Sequence, residues 1–413
     1  MTNKTLQSFL KEVFQLTVEK CTPEFSDQFL YIKRERERIL NNSWKEIPKS
    51  EKMPGMKKVI FKEIDFDTII THSKHFISDI KVYLQLINKL AKVSIKYAQF
   101  TKAADLLIEI TKHKDADNIL VAKSFRTLSN IYFNNGDIDS SIKYLNKSTL
   151  LFKKENDSFG ILQNKIAFGV IQVNNGQPSE GKLLFLEAQQ MSSQHDNHFL
   201  KVQIFSNLGN VCSQLGDLDE SMGYYQNALD ILKSKDNPRQ RARLLHNIAI
   251  NYKIKQDYGK ASAYLTKCIK LAKDNNDVYQ KGLSYLEQSE VKARMGELSE
   301  SNALVMTTFQ IFSELQAKSE IAEVYKILGL INRKGKNYNV AMSYYENSKR
   351  INKEDNNHLN LGETYLEIGK FYEDTGDRDL SVENYQSALK EFQFIEANAR
   401  VTQTEQALSN LTT

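Results

Sequence analysis

The chain has 413 residues, 41% of them hydrophobic and 26% charged, and 56 basic against 51 acidic side chains leave a net charge of +5. That length exceeds one ordinary globular core, so the chain forms either two or three domains or an extended repeat array that needs no central core. A small basic excess spread along the whole sequence gives no electrostatic footprint for nucleic acid or an anionic membrane, and 17 Gly with only 5 Pro supply little turn chemistry for a many-stranded sheet, so an all-α fold is expected.

The opening MTNKTLQSFLKEVFQ lacks the unbroken apolar core of a signal peptide, and no later stretch reaches about 18 apolar residues in a row, so no membrane insertion is expected. Three widely separated cysteines, Cys21, Cys212 and Cys268, fit a reducing compartment better than a disulfide framework, and a soluble cytoplasmic protein is expected. Residues 1–79 contain the apolar-spaced LQSFLKEVFQL, the segment EFSDQFLYIKRERERIL, and a break at NNSWKEIPKSEKMPG that holds two of the five prolines and Trp44. Proline ends helices there. Two or three helices and a loop are expected, forming a cap or a separate docking module. The alternating signs of KRERER at 33–38 mark a solvated helix face rather than a phosphate site.

From about residue 80 a period emerges. YAQFTKAADLLIEI, with Ala98, Phe100 and Ala103, is a loose first unit standing two residues out of phase with the later units. Polar corners then recur at Gly136, Gly176, Gly216, Gln256, Gly296, Lys336 and Gly376, 40 residues apart each time, and a constant interval of this size marks a solenoid of one supersecondary unit. Eight residues before each corner lies a large column, among it Leu128, Phe168, Leu208 and Ile248, and beside it a column that is always small, among it Ser129, Gly169, Gly209 and Ala249. Large beside small lets two helix backbones approach. Past the corner, small residues such as Ser221, large ones such as Tyr225 and small ones such as Ala228 succeed one another at i, i+4 and i+7, one face of a helix. Each unit is therefore helix, turn, helix. The fifth phased unit departs from the pattern, with Gln288 in the large column and Lys292 in a Tyr column, so packing loosens there or the array bends. FQFIEANARVTQTEQALSNL keeps phase through Leu408 without a second helix and reads as a capping helix over 394–413.

The series carried by Leu208, Gly209, Tyr225 and Ala228 in LGNVCSQLGDLDESMGYYQNAL resembles the tetratricopeptide repeat, over about residues 80 to 411. A period of 40 rather than the commonest form's 34 is similar to the branch that includes kinesin light chains, the mitotic adaptor Pins and the bacterial Rap phosphatases. The resemblance implies a right-handed superhelical solenoid over 80–393 in which the first helix of each hairpin lines a concave groove. Side chains thirteen, ten, nine, six, three and two residues before each corner should then point inward or to the rim. The first phased unit offers Lys123, Arg126 and Asn130, the third Gln203, Ser206, Asn207 and Asn210, and the fourth Arg243, His246, Asn247 and Lys253, a polar and mostly basic set. The seventh offers Glu363, Glu367, Lys370, Glu373 and Asp374 and is net acidic, so a charge gradient that would orient an extended ligand is expected. An Asn amide presents a donor and an acceptor in one plane and pairs with a peptide backbone whatever its side chains. Gln203, Asn207, Asn210, Arg243, His246 and Asn247, with Lys123 and Arg126, are accordingly the candidate peptide-binding residues. The carboxylate clamp of some relatives matches at Asn210 and Asn247, but Ser206, Leu283 and Glu287 fill its basic positions, which argues against a chaperone co-factor.

Enzyme and metal motifs are missing from the sequence: GxxxxGK[ST], GxGxxG, HExxH, GxSxG and CxxC do not occur. His72 and His75, like His195 and His198, lack the four-ligand spacing of a closed metal site, so no catalytic residue, metal or cofactor is expected. Cys212, Cys268 and most of the 19 tyrosines fall in repeat columns and read as packing residues. The expectation is a non-enzymatic scaffold that binds a protein or peptide partner in its groove. Two alternatives stand beside it: a peptide-controlled signalling regulator acting through its N-terminal helices, as the Rap resemblance implies, and a cytoskeletal or ciliary adaptor. Oligomeric state stays open.

Overall fold

The computed structural model describes residues 3–21, 25, 34, 66, 69, 70, 73, 74 and 76–412, which are helical and turn structure without a strand. Helix α1 (Asn3–Val18) is followed by the hairpin α2 (Ile80–Lys96) and α3 (Phe100–Lys112). Seven hairpins succeed it: α4 (Asn118–Asn134) with α5 (Ile138–Lys154), α6 (Ser158–Asn174) with α7 (Pro178–Ser192), α8 (His198–Leu215) with α9 (Leu218–Ser234), α10 (Pro238–Ile254) with α11 (Tyr258–Asp274), α12 (Val278–Arg294) with α13 (Leu298–Leu315), α14 (Lys318–Lys334) with α15 (Tyr338–Glu354), and α16 (His358–Thr375) with α17 (Arg378–Phe394). Helix α18 (Asn398–Thr412) ends the series. The expectations for Trp44, for NNSWKEIPKSEKMPG, for His72 and His75, and for KRERER apart from the exposed Arg34, fall outside the described residues.

All seven corners fall where the spacing put them. Each has left-handed backbone, with φ of +80° at Gly136, +77° at Gly176, +95° at Gly216, +87° at Gly296 and +82° at Gly376, while Gln256 (+59°) and Lys336 (+62°) adopt it with a side chain. A left-handed residue past the last helical turn redirects the chain and lets the N–H of the residue after it close on an earlier carbonyl; the Asp217 N–H, for example, reaches the Cys212 carbonyl at 2.8 Å. The next residue often caps the second helix, as Asp137, Asp257 and Asp377 accept the N–H of Ser140, Lys260 and Leu380. In the loose first unit the left-handed residue is Ala98 (+56°), two residues off the 40-residue phase.

The small column works through close approach. A Cβ on Gly209 would stand 2.3 Å from the Tyr225 ring, and the pairs Gly169–Phe185, Gly329–Tyr345 and Gly369–Tyr385 are equally tight at 2.5, 2.5 and 2.4 Å. The ring of the second helix therefore lies directly on the backbone of the first. The hydroxyls of Ser221, Ser301 and Ser381 add a recurrent bond, donating to the carbonyls of Gly209, Ser289 and Gly369 at 2.6, 2.7 and 2.9 Å. The fifth phased hairpin shares this bond. Its Gln288 is buried and donates through Nε2 to Ser262 Oγ at 2.8 Å, and Lys292 pairs with Glu297 and Glu300, so hydrogen bonds replace the apolar contacts and the hairpin stays closed.

Two compact units divide the chain, residues 1–164 and 165–413, with the division inside α6. In the first, Phe9 and Val13 of α1 share one core with Tyr83, Ile87 and Leu90 of α2 and with Leu107 and Ile110 of α3, and Glu12 pairs with Lys96 at 2.8 Å. In the second, the chain end returns to earlier corners. Gln214 Nε2 donates to the Ile395 carbonyl at 2.8 Å, Gly216 lies against Ala399, and Gly176 lies against Phe394. The first helices of the hairpins in this unit, together with α18, thus face a common interior.

Candidate functional site

A pocket of about 280 Å³ opens on that interior, lined by α8, α10, α12, α14, α16 and α18. On one wall Asn210 Oδ1 accepts from the Tyr225 hydroxyl and from Asn247 Nδ2, both at 2.7 Å. Tyr225 is the ring that rests on Gly209, so the repeat core itself holds the asparagine pair in place. The pairing occupies the Asn210 oxygen and one N–H of the Asn247 amide, and it leaves the amide nitrogen of Asn210 and the amide oxygen of Asn247 as an uncommitted donor and acceptor. Ile250, Ile254 and Leu359 supply apolar wall.

Beneath the pocket runs a charged network. Lys253 Nζ donates to Glu287 at 2.6 Å and Glu290 at 2.7 Å. Lys326 bridges Glu323, at 2.5 Å, and Glu363, and Arg400 of α18 reaches Glu363 at 2.5 Å. Arg294 joins Glu290 at 2.7 Å to Glu367 at 3.0 Å, and Glu367 also takes Arg333 at 3.0 Å and Lys370 at 3.1 Å, with Asp374 on the far side of Arg333. Cations and carboxylates balance in number. Burial alone would raise the Glu290 and Glu367 carboxyls, but Lys253 and Arg294 beside the first, and Lys370, Arg294 and Arg333 beside the second, outweigh it and hold both well below the carboxylate range. Glu323 behaves oppositely. Burial pushes it up to about 7, against the pull of Lys326 and with the added repulsion of Glu363 and Glu290, and its Oε1 is buried without a hydrogen-bond partner.

Of the residues singled out in the sequence, Asn210 and Asn247 meet at the pocket. Asn207 is half-buried with an unpartnered Nδ2, while Gln203 and Arg243 are exposed on their helices. His246, by contrast, is only 8% exposed, its Nδ1 lies 3.5 Å from Ser284 Oγ, and burial lowers its pKa. The tenth position before a corner is buried at Ile166, His246, Leu286, Lys326 and Leu366 and half-buried at Arg126 and Ser206. In the first unit Lys123 is exposed and Arg126 lies over the Phe152 ring with Nη1 3.5 Å from Asn164 Oδ1, where burial lowers its pKa. The expected acidic end also needs correction, because Lys326, Arg400, Arg294 and Arg333 neutralise Glu363 and Glu367. Glu290, Glu323, Lys326, Arg333 and Arg400 escaped the sequence reading, and Glu287 entered it only as a mismatch to the carboxylate clamp, although opposite charges 34 or 37 residues apart in adjacent repeats were there to be paired. Cys212 is buried, with its thiol pushed up to about 12 by burial. Among the described residues no three His, Cys, Asp or Glu side chains cluster as metal ligands, and no helix is long and apolar enough to cross a membrane.

Two tetratricopeptide repeat family models match the chain, one over residues 201–274 and the other over 122–154 and 362–391. No curated protein matches the sequence significantly. Among solved structures, the chain is similar to aspartyl phosphate phosphatase F from Bacillus subtilis, at 11% identity, 96% coverage of each chain and a TM-score of 0.57. It is also similar to the apo quorum sensor NprR from B. thuringiensis, at 14% identity, covering 89% of this chain and 99% of that one with a TM-score of 0.58. A Rap protein complexed with competence and sporulation factor matches at 16% identity over 80% of this chain and 97% of its own, with a TM-score of 0.54. At these identities the likeness is one of fold.

Proposed function

Because the chain is a tetratricopeptide-repeat protein, we propose that its second unit is a non-enzymatic receptor for an extended peptide of a partner protein or signal, held in the pocket beside Asn210 and Asn247. The observation that carries this reading is the asparagine pair. Its 2.7 Å bonds spend half of each amide and hold both side chains in the pocket wall, so the other halves are available to a peptide backbone as donor and acceptor. Fold analogy supports it, since one neighbour's description names a bound factor and another's a quorum sensor. Display of a random short-peptide library against the full chain is the test. Enriched peptides should lose at least about tenfold in affinity to Asn210→Ala/Asn247→Ala, the equivalent of one or two hydrogen bonds, with helical content unchanged. Equal affinity for the variant overturns the assignment.

A regulatory reading is favoured by one observation: α1 belongs to the core of the first hairpin, so the N-terminal helix is anchored to the repeats as an effector surface would need to be. In that case a selected peptide should change the rate at which the full chain alters phosphate turnover on a partner. Unchanged turnover across a panel of phosphorylated response regulators would remove it.

A further inference from the structure

The pocket beside the asparagine pair has a charge imbalance of its own. Glu287, Glu323 and Glu363 line it with Lys253 and Arg400, three carboxylates against two cations in the lining itself with Lys326 behind Glu323 and Glu363, and all three cations are already engaged: Lys253 with Glu287 and Glu290, Arg400 with Glu363, Lys326 with Glu323 and Glu363. An arriving anion would meet no free positive group. Glu323 lines the pocket with its Oε2 on Lys326 and its Oε1 buried without a partner, and a buried acceptor left unmade is costly until something donates to it. The apolar side chains of Ile250, Ile254 and Leu359, the last 41% exposed, offer a path for an aliphatic stem.

We infer that this pocket is a subsite for a cationic alkyl group, an ammonium or guanidinium on an aliphatic stem, with the stem on Ile250, Ile254 and Leu359 and the charge directed to Glu323. The inference rests on the peptide reading for its biological source, which would be a lysine, an arginine or a chain amine. Glu323 faces Lys326 on its own helix, Glu287 and Glu290 on α12, Lys253 on α10, Glu363 on α16 and Arg400 on α18. In that company it is only partly ionised near neutrality. A bound cation favours the carboxylate, so binding releases a proton and strengthens as pH rises.

Saturation-transfer NMR on the full chain tests this with n-butylammonium, n-butylguanidinium and butyrate. At least one cation should bind while butyrate does not, and its affinity should rise about tenfold from pH 6 to pH 8, as a carboxyl titrating midway passes from about one-tenth to nine-tenths ionised. Glu323→Gln should weaken the cation about tenfold and flatten the pH dependence. Preference for ammonium assigns the subsite to lysine or a chain amine, and preference for guanidinium assigns it to arginine. Equal binding of butyrate, or cation binding that Glu323→Gln leaves unchanged, overturns the inference. Its failure is distinguishable from failure of the peptide reading. Displayed peptides that need Asn210 and Asn247 but carry no basic group would sink only the cation subsite, whereas cation binding without any selected peptide would sink only the peptide receptor.

Discussion

Glu367→Gln isolates the charged network from every other feature of the second unit. Glu367 is 2% exposed and accepts from Arg294, Arg333 and Lys370 at 3.0, 3.0 and 3.1 Å. Glutamine keeps the shape and one acceptor but turns an amide NH₂ toward three cations. Arg294 retains Glu290 and Arg333 retains the half-exposed Asp374, so the full loss falls on Lys370, for which Glu367 is the ion-pair partner. Breaking a buried pair from one side costs about 3–5 kcal/mol, and these surviving partners place the variant near 3. A repeat array does not unfold in one step, so the assay is native-state hydrogen exchange read helix by helix. Protection in α12, α14 and α16 should drop about a hundredfold, with the first unit unaffected. The Glu367 carboxyl is held below its unfolded value of about 4.3. Its contribution is therefore present above that value and lost as pH falls through the folded one, so wild type and variant should converge in acid. A change below about fivefold at neutral pH, or one spread evenly over both units, would refute the reasoning.

Gly209→Ala should destabilise the second unit by about 1–3 kcal/mol, because a Cβ 2.3 Å from Tyr225 meets a ring with nowhere to go, and it should also weaken peptide binding, since Tyr225 holds Asn210. Gly223→Ala on the exposed face of α9, with nothing within 4 Å of its Cβ, should instead stabilise by about 0.5–1 kcal/mol, both read by the same hydrogen exchange. Glu323, with its folded pKa raised to about 7, must make the wild type lose stability as pH rises from about 4.5 through 7, the reverse of Glu367. Denaturation of Glu323→Gln across that range should lack this loss, and an unchanged slope would contradict the assignment.

The parts of the fold that were legible are those that repeat. A left-handed corner at Gly136 or Gly376 needs the same local chemistry as one at Gly216, and Gly209 beneath Tyr225 needs the same vacancy as Gly369 beneath Tyr385, so periodicity alone exposes them. Residues before 80 obey no such period, and α1 could be expected from its apolar spacing but not placed in the core it shares with α2 and α3. The burial of His246 was illegible for a different reason. Helical geometry puts the tenth position before a corner close to the ninth, and only the packing between adjacent first helices decides how far each is covered.

The charged interior arises from the same inter-helix register. Asn210 with Asn247, Lys253 with Glu290, Lys326 with Glu363, and Glu363 with Arg400 are each 37 residues apart. Successive first helices therefore meet three residues short of a full repeat, and any inward column pairs with a different column of its neighbour. A charge judged within its own unit is then read against the wrong companions, which is how the seventh unit looked acidic. Pairing across that offset turns an acidic end into a neutral floor and leaves Glu323, whose own counter-ion it must share with Glu363, as the carboxylate with something still to bind.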